Sequence, residues 1–196
     1  EMPALIKGVR GISSDDRIPE RLEKGILRAK YNLQVNKDGT IRFDGTELPI
    51  TAFRSSEISV SIEKLKEVGY DKDIYGNDIE NENQLIELKP HDILLPSSPH
   101  TVDERADNVF TKVAKFVDEE LESFYGLEKF YNINNKEDLV GHLGACMAPH
   151  NCGGVVCRFI GFSKTQGIMA SPYMHAAIIR DCFDYNTFIP IKTKEG

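Results

Sequence analysis

A helical period in the second half of the chain constrains the fold most. Val109, Phe110, Val113, Phe116, Val117, Leu121 and Phe124 recur three or four residues apart, and Gly126 follows them. That spacing puts the apolar groups on one helix face, and a glycine readily closes the last turn in the left-handed conformation. The pattern predicts one helix over residues 103–126, the longest in the chain. Asp118, Glu119, Glu120 and Glu122 fall near its end and read as an acidic outer face. Four close carboxylates can hold a divalent cation, but such a run is more often simply solvated.

Shorter signals surround this helix. Residues 18–31 read as a helix, with Ile18, Leu22, Ile26 and Ala29 on one stripe and Pro19 in the first turn. Residues 56–70 read as a second, carrying Ile58, Val60, Ile62, Leu65 and Val68 and stopped by Gly69. A short helix is expected from Glu137 to Met147, capped by Asn135. Asp38-Gly39 between two alternating runs is a hairpin signal, with a further turn expected at Gly45. Tyr75 to Asp78 reads as a turn, and residues 85–88 and 93–95 as short strands around Lys89-Pro90-His91-Asp92. The segment 96–107, with Pro96, Ser97, Ser98 and Pro99, is the linker candidate. Residues 154–170 read as buried strand and turn. The fold class expected is α+β: helices with short antiparallel strands and hairpins, the C-terminal part leading into a β-barrel core.

Composition adds bounds. The 196 residues are 40% hydrophobic and 28% charged, ordinary for a globular protein. A net charge of −7 gives no global sign of nucleic-acid binding, although binding surfaces are local. No apolar run approaches the roughly 18 residues of a membrane span, so no membrane partner is expected and the cytoplasm is the expected compartment. The four cysteines, Cys146, Cys152, Cys157 and Cys182, cluster late and do not make a disulfide framework. The chain opens on Glu1 and ends on Lys194-Glu195-Gly196, and both ends read as cuts in a longer polypeptide.

Several constellations bear chemistry. Arg17, Arg21, Lys24 and Arg28 share a stripe three or four residues apart, with Lys30 just beyond. Their mutual repulsion fits a cationic face kept for a phosphate backbone, and equally a solvated face. Lys7-Gly8-Val9-Arg10-Gly11 offers cations where backbone can approach closely, or a plain turn. Cys146, His150, Cys152 and Cys157, with His142 a turn earlier, are zinc-type ligands, but the spacing lacks paired C-x2-C knuckles. Ala148 to Gly154 reads as an irregular loop that places His150 and Asn151, at a site or in a structural turn. His175 with Arg180 suits phosphate chemistry, against the plainer reading of a core histidine. Cys182-Phe183, then Thr187, Ile189 and Ile191, reads as a nucleophile before an alternating strand, or as a strand with a buried thiol.

Ordered matches then run along nearly the whole chain to Asp181. They are Lys7 to Gly11, Pro19-Glu20, Glu23 to Lys30, Lys37 to Asp44, Gln84 to Asp92, Phe124 to Leu127, Ala148 to His150 and His175 to Ala177. Together they resemble the large, catalytic subunit of archaeal family D DNA polymerase. The resemblance implies a double-psi β-barrel core and template-directed nucleotidyl transfer to a primer 3′ hydroxyl. It implies Mg²⁺ whose aspartate ligands lie outside this chain, so no metal ligand is assigned here and zinc is not expected. The implied partners are primer-template DNA, dNTPs, a small exonuclease subunit in a heterodimer, and a sliding clamp. His150 and His175 are expected to line the site, and Lys7, Arg10, Lys24, Arg28, Lys30 and Arg180 to meet phosphates.

Residues 182–191 resemble the opening block of an intein, with Cys182 as the splicing nucleophile standing where the family's aspartate-rich loop would continue. The organisation expected is 1–98, a helix and hairpin part; 99–181, leading into the catalytic barrel; and 182–196, the start of the insert. Two departures stand out. Ile178 and Ile179 occupy positions where basic residues are usual, and Cys146, Cys152 and Cys157 stand where other residues are expected. The fragment alone is expected to be inactive. The alternative is a non-catalytic DNA- or partner-binding module.

Overall fold

The computed structural model describes residues 22–33, 43–100, 104–147, 154–177 and 185–191. Lys7, Arg10, His150, Cys152, Arg180, Cys182 and the Asp38-Gly39 hairpin lie outside the described residues.

Six strands close a barrel, and the fold class is α+β. The strands are β1 (Phe43–Pro49), β4 (Asp92–Pro96), β5 (Leu143–Met147), β6 (Gly154–Ser163), β7 (Ile168–Ala170) and β8 (Tyr185–Ile191). Around the barrel they run β1-β7-β4-β6-β5-β8 and return to β1. Two pairings are parallel, β1 with β7 and β4 with β6, and the other four are antiparallel. Closure leaves these strands without a free edge. All five residues of β4 are buried, as a near-continuous apolar run in a strand covered on both faces must be. The barrel therefore includes β1, at residues 43–49, and is not confined to the C-terminal part.

Parallel neighbours need a long crossover. Between β4 and β6 it holds a 20-residue helix, Ala106–Tyr125. Its apolar set is the one the spacing predicts, and Phe110 stacks on Phe159 of β6 with ring centroids 5.1 Å apart. Gly126 ends the helix at φ 62°, as expected. Leu94 and Leu95 before residue 98, and Phe110 and Phe159 after it, share one hydrophobic cluster. Residues on both sides of the segment 96–107 thus share one core. Ser97 and Ser98 are buried, and Ser97 N–H donates to Ser163 O at 2.8 Å.

The remaining elements in chain order are α1 (Leu22–Lys30), β2 (Ala52–Arg54), α2 (Ser55–Ile58), α3 (Ile62–Glu67), β3 (Leu85–Glu87), α4 (the long helix) and α5 (Pro172–Ala177). β2 pairs with β3 in a separate two-stranded sheet, so the runs around Lys89–Asp92 do not pair with each other.

Three expectations fail locally. The helix expected over 56–70 is two short helices, broken where Ser59 takes φ 56°. Ser55 Oγ donates to Val60 O at 2.6 Å and Ser61 Oγ accepts from Lys64 N–H, so local hydroxyl bonds outcompete a continuous helix. Its stop at Gly69, φ 98°, is as read. The helix expected from Glu137 is only a 3-10 turn, Lys136–Leu139, though Asn135 does cap it. The rest of that stretch is β5, because Leu143 to Met147 gain backbone partners from β6 on one side and β8 on the other. Gly45 is not a turn but lies inside β1, opposite Asn186. A Cβ there would come within 2.9 Å of the Phe43 ring and 3.1 Å of Ile168, so glycine serves close packing.

Candidate functional site

The cationic stripe comes first. α1 packs on α4, and Lys24 Nζ lies 3.3 Å from Glu120 Oε1, with Glu120 fully buried. Lys30 Nζ lies 2.7 Å from Glu119, whose other oxygen accepts the Tyr31 hydroxyl. Burial, and then the Glu119 contact, push Tyr31 up to about 12. Lys30, followed by Tyr31, holds Glu119 below the usual carboxylate range. Asp118 is buried and accepts the backbone N–H groups of Phe130 and Tyr131 at 2.9 Å and of Asn132 at 2.8 Å. The supposed acidic outer face is therefore mostly internal: it seats α1 and clamps the loop after α4. Lys24 and Lys30 would have to leave these carboxylates to meet a phosphate.

His175 is held from two sides. Ser171, between β7 and α5, donates its hydroxyl to Pro90 O at 3.1 Å and accepts the Met174 N–H at 3.2 Å. The His175 N–H donates to Ser171 O at 3.2 Å. Its side chain is 14% exposed, and Nδ1 lies 3.8 Å from Oε2 of Glu47, a carboxylate 1% exposed on β1. Glu47 carries no motif. Its one sequence signal is parity, because it alternates with Gly45 onto the buried side of β1.

Pro90 belongs to a loop braced by a buried ion pair that sequence reasoning also missed. Arg158 of β6 grips Asp92 of β4 with two hydrogen bonds, Nε to Oδ1 at 2.9 Å and Nη2 to Oδ2 at 2.8 Å. Its Nη1 reaches Val68 O at 2.8 Å, and the Tyr70 hydroxyl donates to Asp92 Oδ2. Lys89 N–H donates to the Tyr70 oxygen at 3.2 Å, and Arg158 N–H to His91 O at 2.8 Å. Burial, then Asp92, raise the Tyr70 phenol, so it stays a donor. A groove of about 470 Å³ borders this loop, lined by Tyr70, Lys72, Lys89, Pro90 and Tyr173 of α5.

Cys146 and Cys157 sit buried on neighbouring strands. Burial pushes the Cys157 thiol well up. Burial lowers His142, whose ring lies 5.2 Å from that of Tyr131. Among the described residues no group of three or more His, Cys, Asp or Glu is placed to hold a metal ion.

The architecture defines the class: a closed barrel of mixed strand direction, with a helical crossover and a histidine-bearing helix seated on it. The family described as "DNA polymerase II large subunit DP2, catalytic domain" matches residues 1–189, and the chain belongs to it. It is similar to the DNA polymerase II large subunit of Nanoarchaeum equitans, 51% identical over 92% of this chain and 15% of that protein. The same-named proteins of Archaeoglobus fulgidus and Pyrococcus horikoshii are each 51% identical, over 90% and 95% of this chain and 15% and 13% of theirs. The chain thus spans about a seventh of the curated relatives it matches.

Proposed function

We propose that this chain is part of the catalytic core of an archaeal, cytoplasmic DNA-directed DNA polymerase, one that joins a nucleotide to a primer 3′ hydroxyl under template direction. The observation that carries this reading is the family match across residues 1–189, which spans both the barrel and the His175 helix. The partners are primer-template DNA, dNTPs, a small exonuclease subunit and a sliding clamp. The barrel is proposed to be of the double-psi type. No helix among the described residues is long and apolar enough to cross a membrane.

The described residues do not fit the Mg²⁺ that the family implies, since they offer no clustered carboxylates. This chain's own contribution is to bind and orient. His175 and His150 line the site, and Lys7, Arg10, Arg28 and Arg180 meet phosphates, as do Lys24 and Lys30 if they are released from Glu120 and Glu119. Cations in such positions displace counterions from the duplex, so binding depends on salt. In the full large subunit with its small subunit, Arg28→Glu and Arg180→Glu should weaken primer-template binding and flatten its salt dependence. Unchanged affinity across salt concentrations removes those residues from the interface.

The second reading concerns Cys182. We infer an intein start there, so that β8, which pairs with β1 and β5 in this chain, belongs to the insert and leaves the barrel on splicing: the thiol attacks the Asp181 carbonyl, a carbon–sulfur bond replaces the carbon–nitrogen bond, and the thiol proton passes to the freed amine. In the complete precursor, Cys182→Ala should abolish the ligated product, and normal ligation by that variant ends the proposal. A non-catalytic DNA- or partner-binding module remains the competing class, and primer extension by the full complex decides between them.

A further inference from the structure

The buried acids among the described residues are Glu47, Asp92, Asp107, Asp118 and Glu120. A buried carboxylate is costly unless paired or hydrogen-bonded. Asp92 meets Arg158, Asp107 meets Arg105, Glu120 meets Lys24, and Asp118 takes three backbone N–H groups. Each of those four partners is a fixed charge or a fixed donor. Glu47 faces an imidazole, His175 Nδ1 at 3.8 Å. An imidazole has two nitrogens on different sides of its ring, and the partner of one settles the role of the other. The helix that carries it is pinned at its start by Ser171, which bonds both Pro90 and Met174. With one nitrogen turned to Glu47, the other is left to hydrogen-bond elsewhere.

We propose that Glu47 is a positioning residue for His175: its carboxylate accepts the Nδ1 hydrogen, fixes the ring's orientation, and leaves Nε2 to meet phosphate oxygens of the substrate. This rests on the polymerase reading, in which His175 lines the site. At 3.8 Å the two groups face each other beyond hydrogen-bond distance. Closing by about 1 Å would make a hydrogen bond, and catalytic contacts commonly tighten so when substrate binds.

The test uses the full large subunit with its small subunit, assayed for primer extension, DNA affinity and thermal melting. The variants are Glu47→Gln, His175→Asn and the double variant. Glu47→Gln should lower kcat by about 10- to 100-fold, the scale for a misplaced group, with DNA affinity and melting near wild type. The double variant should be no slower than His175→Asn alone, because residues acting as one unit are non-additive. Additive losses, or a loss that tracks melting, reduce Glu47 to framework and overturn the assignment. If Glu47→Gln does not fold, Glu47→Asp, which keeps the charge but draws it back, carries the test. It should lower kcat with affinity retained, and an unchanged kcat overturns the proposal. A wild-type complex that extends primers while His175→Asn is unimpaired overturns only the Glu47–His175 assignment. A wild-type complex that extends no primer overturns the polymerase reading itself.

Discussion

Two of this protein's cation–carboxylate pairs, one between α1 and α4 and one between β4 and β6, sit in opposite surroundings. Lys30 and Glu119, beside the more buried Lys24–Glu120 pair, are 57% and 29% exposed and meet through one nitrogen that reaches both carboxylate oxygens, at 2.7 and 2.8 Å. Between β4 and β6, Arg158 and Asp92 are 25% and 3% exposed and meet through a two-pronged grip, with Tyr70 and Val68 completing it. Water screens the first pair and is nearly absent from the second. Charge matching in the sequence therefore says little about strength, because burial and geometry set it.

The comparison can be broken most sharply at Arg158. Arg158→Met should cost about 3–5 kcal/mol in denaturant unfolding, because the buried Asp92 carboxylate is left without its main partner. A cost under about 1 kcal/mol would show that water reaches Asp92 after all. Next comes Asp118→Ala, which strands three N–H groups after α4 and should cost about 2–3 kcal/mol by the same measurement. Smallest is Lys30→Ala, at about 0.5 kcal/mol or less, an effect that should fade in high salt. A large, salt-independent loss there would place the α1 contact with the buried pair.

Tyr31 gives a test by pH. Its phenol is raised from 10.0 to about 12, so the folded state favours the protonated form. The associated stability is fully present below pH 10 and is lost as pH rises from 10 to about 12. Ultraviolet titration of wild type against Tyr31→Phe should show one phenolate appearing near pH 12. An appearance near pH 10 would mean that Tyr31 does not hold Glu119 in solution.

Local signals carried part of this molecule. α4 and its Gly126 stop followed from spacing and one glycine, and Asn135 and Gly69 punctuate the chain as read. The break at Ser59 was missed because an apolar helical period ran straight through it, while hydroxyl bonds from Ser55 and Ser61 decided the backbone. β5 was read as helix because five residues with small and apolar side chains suit either state until strands arrive on both sides. Of the site, His175 was legible as a histidine in an apolar segment. Glu47 was not, since its one signal, alternation with Gly45, has meaning only once β1 and its buried face are known.

By itself the sequence determined where helices can start and stop, which residues are apolar enough to enter a core, and which family the motifs resemble. Tertiary structure alone decided that six separated strands close on one another, that Lys24 and Lys30 turn to Glu120 and Glu119, and that Glu47 faces His175. Propensity and capping act over a few neighbouring residues. Strand pairing, burial and the strength of a charge pair depend on groups that only the folded chain brings together.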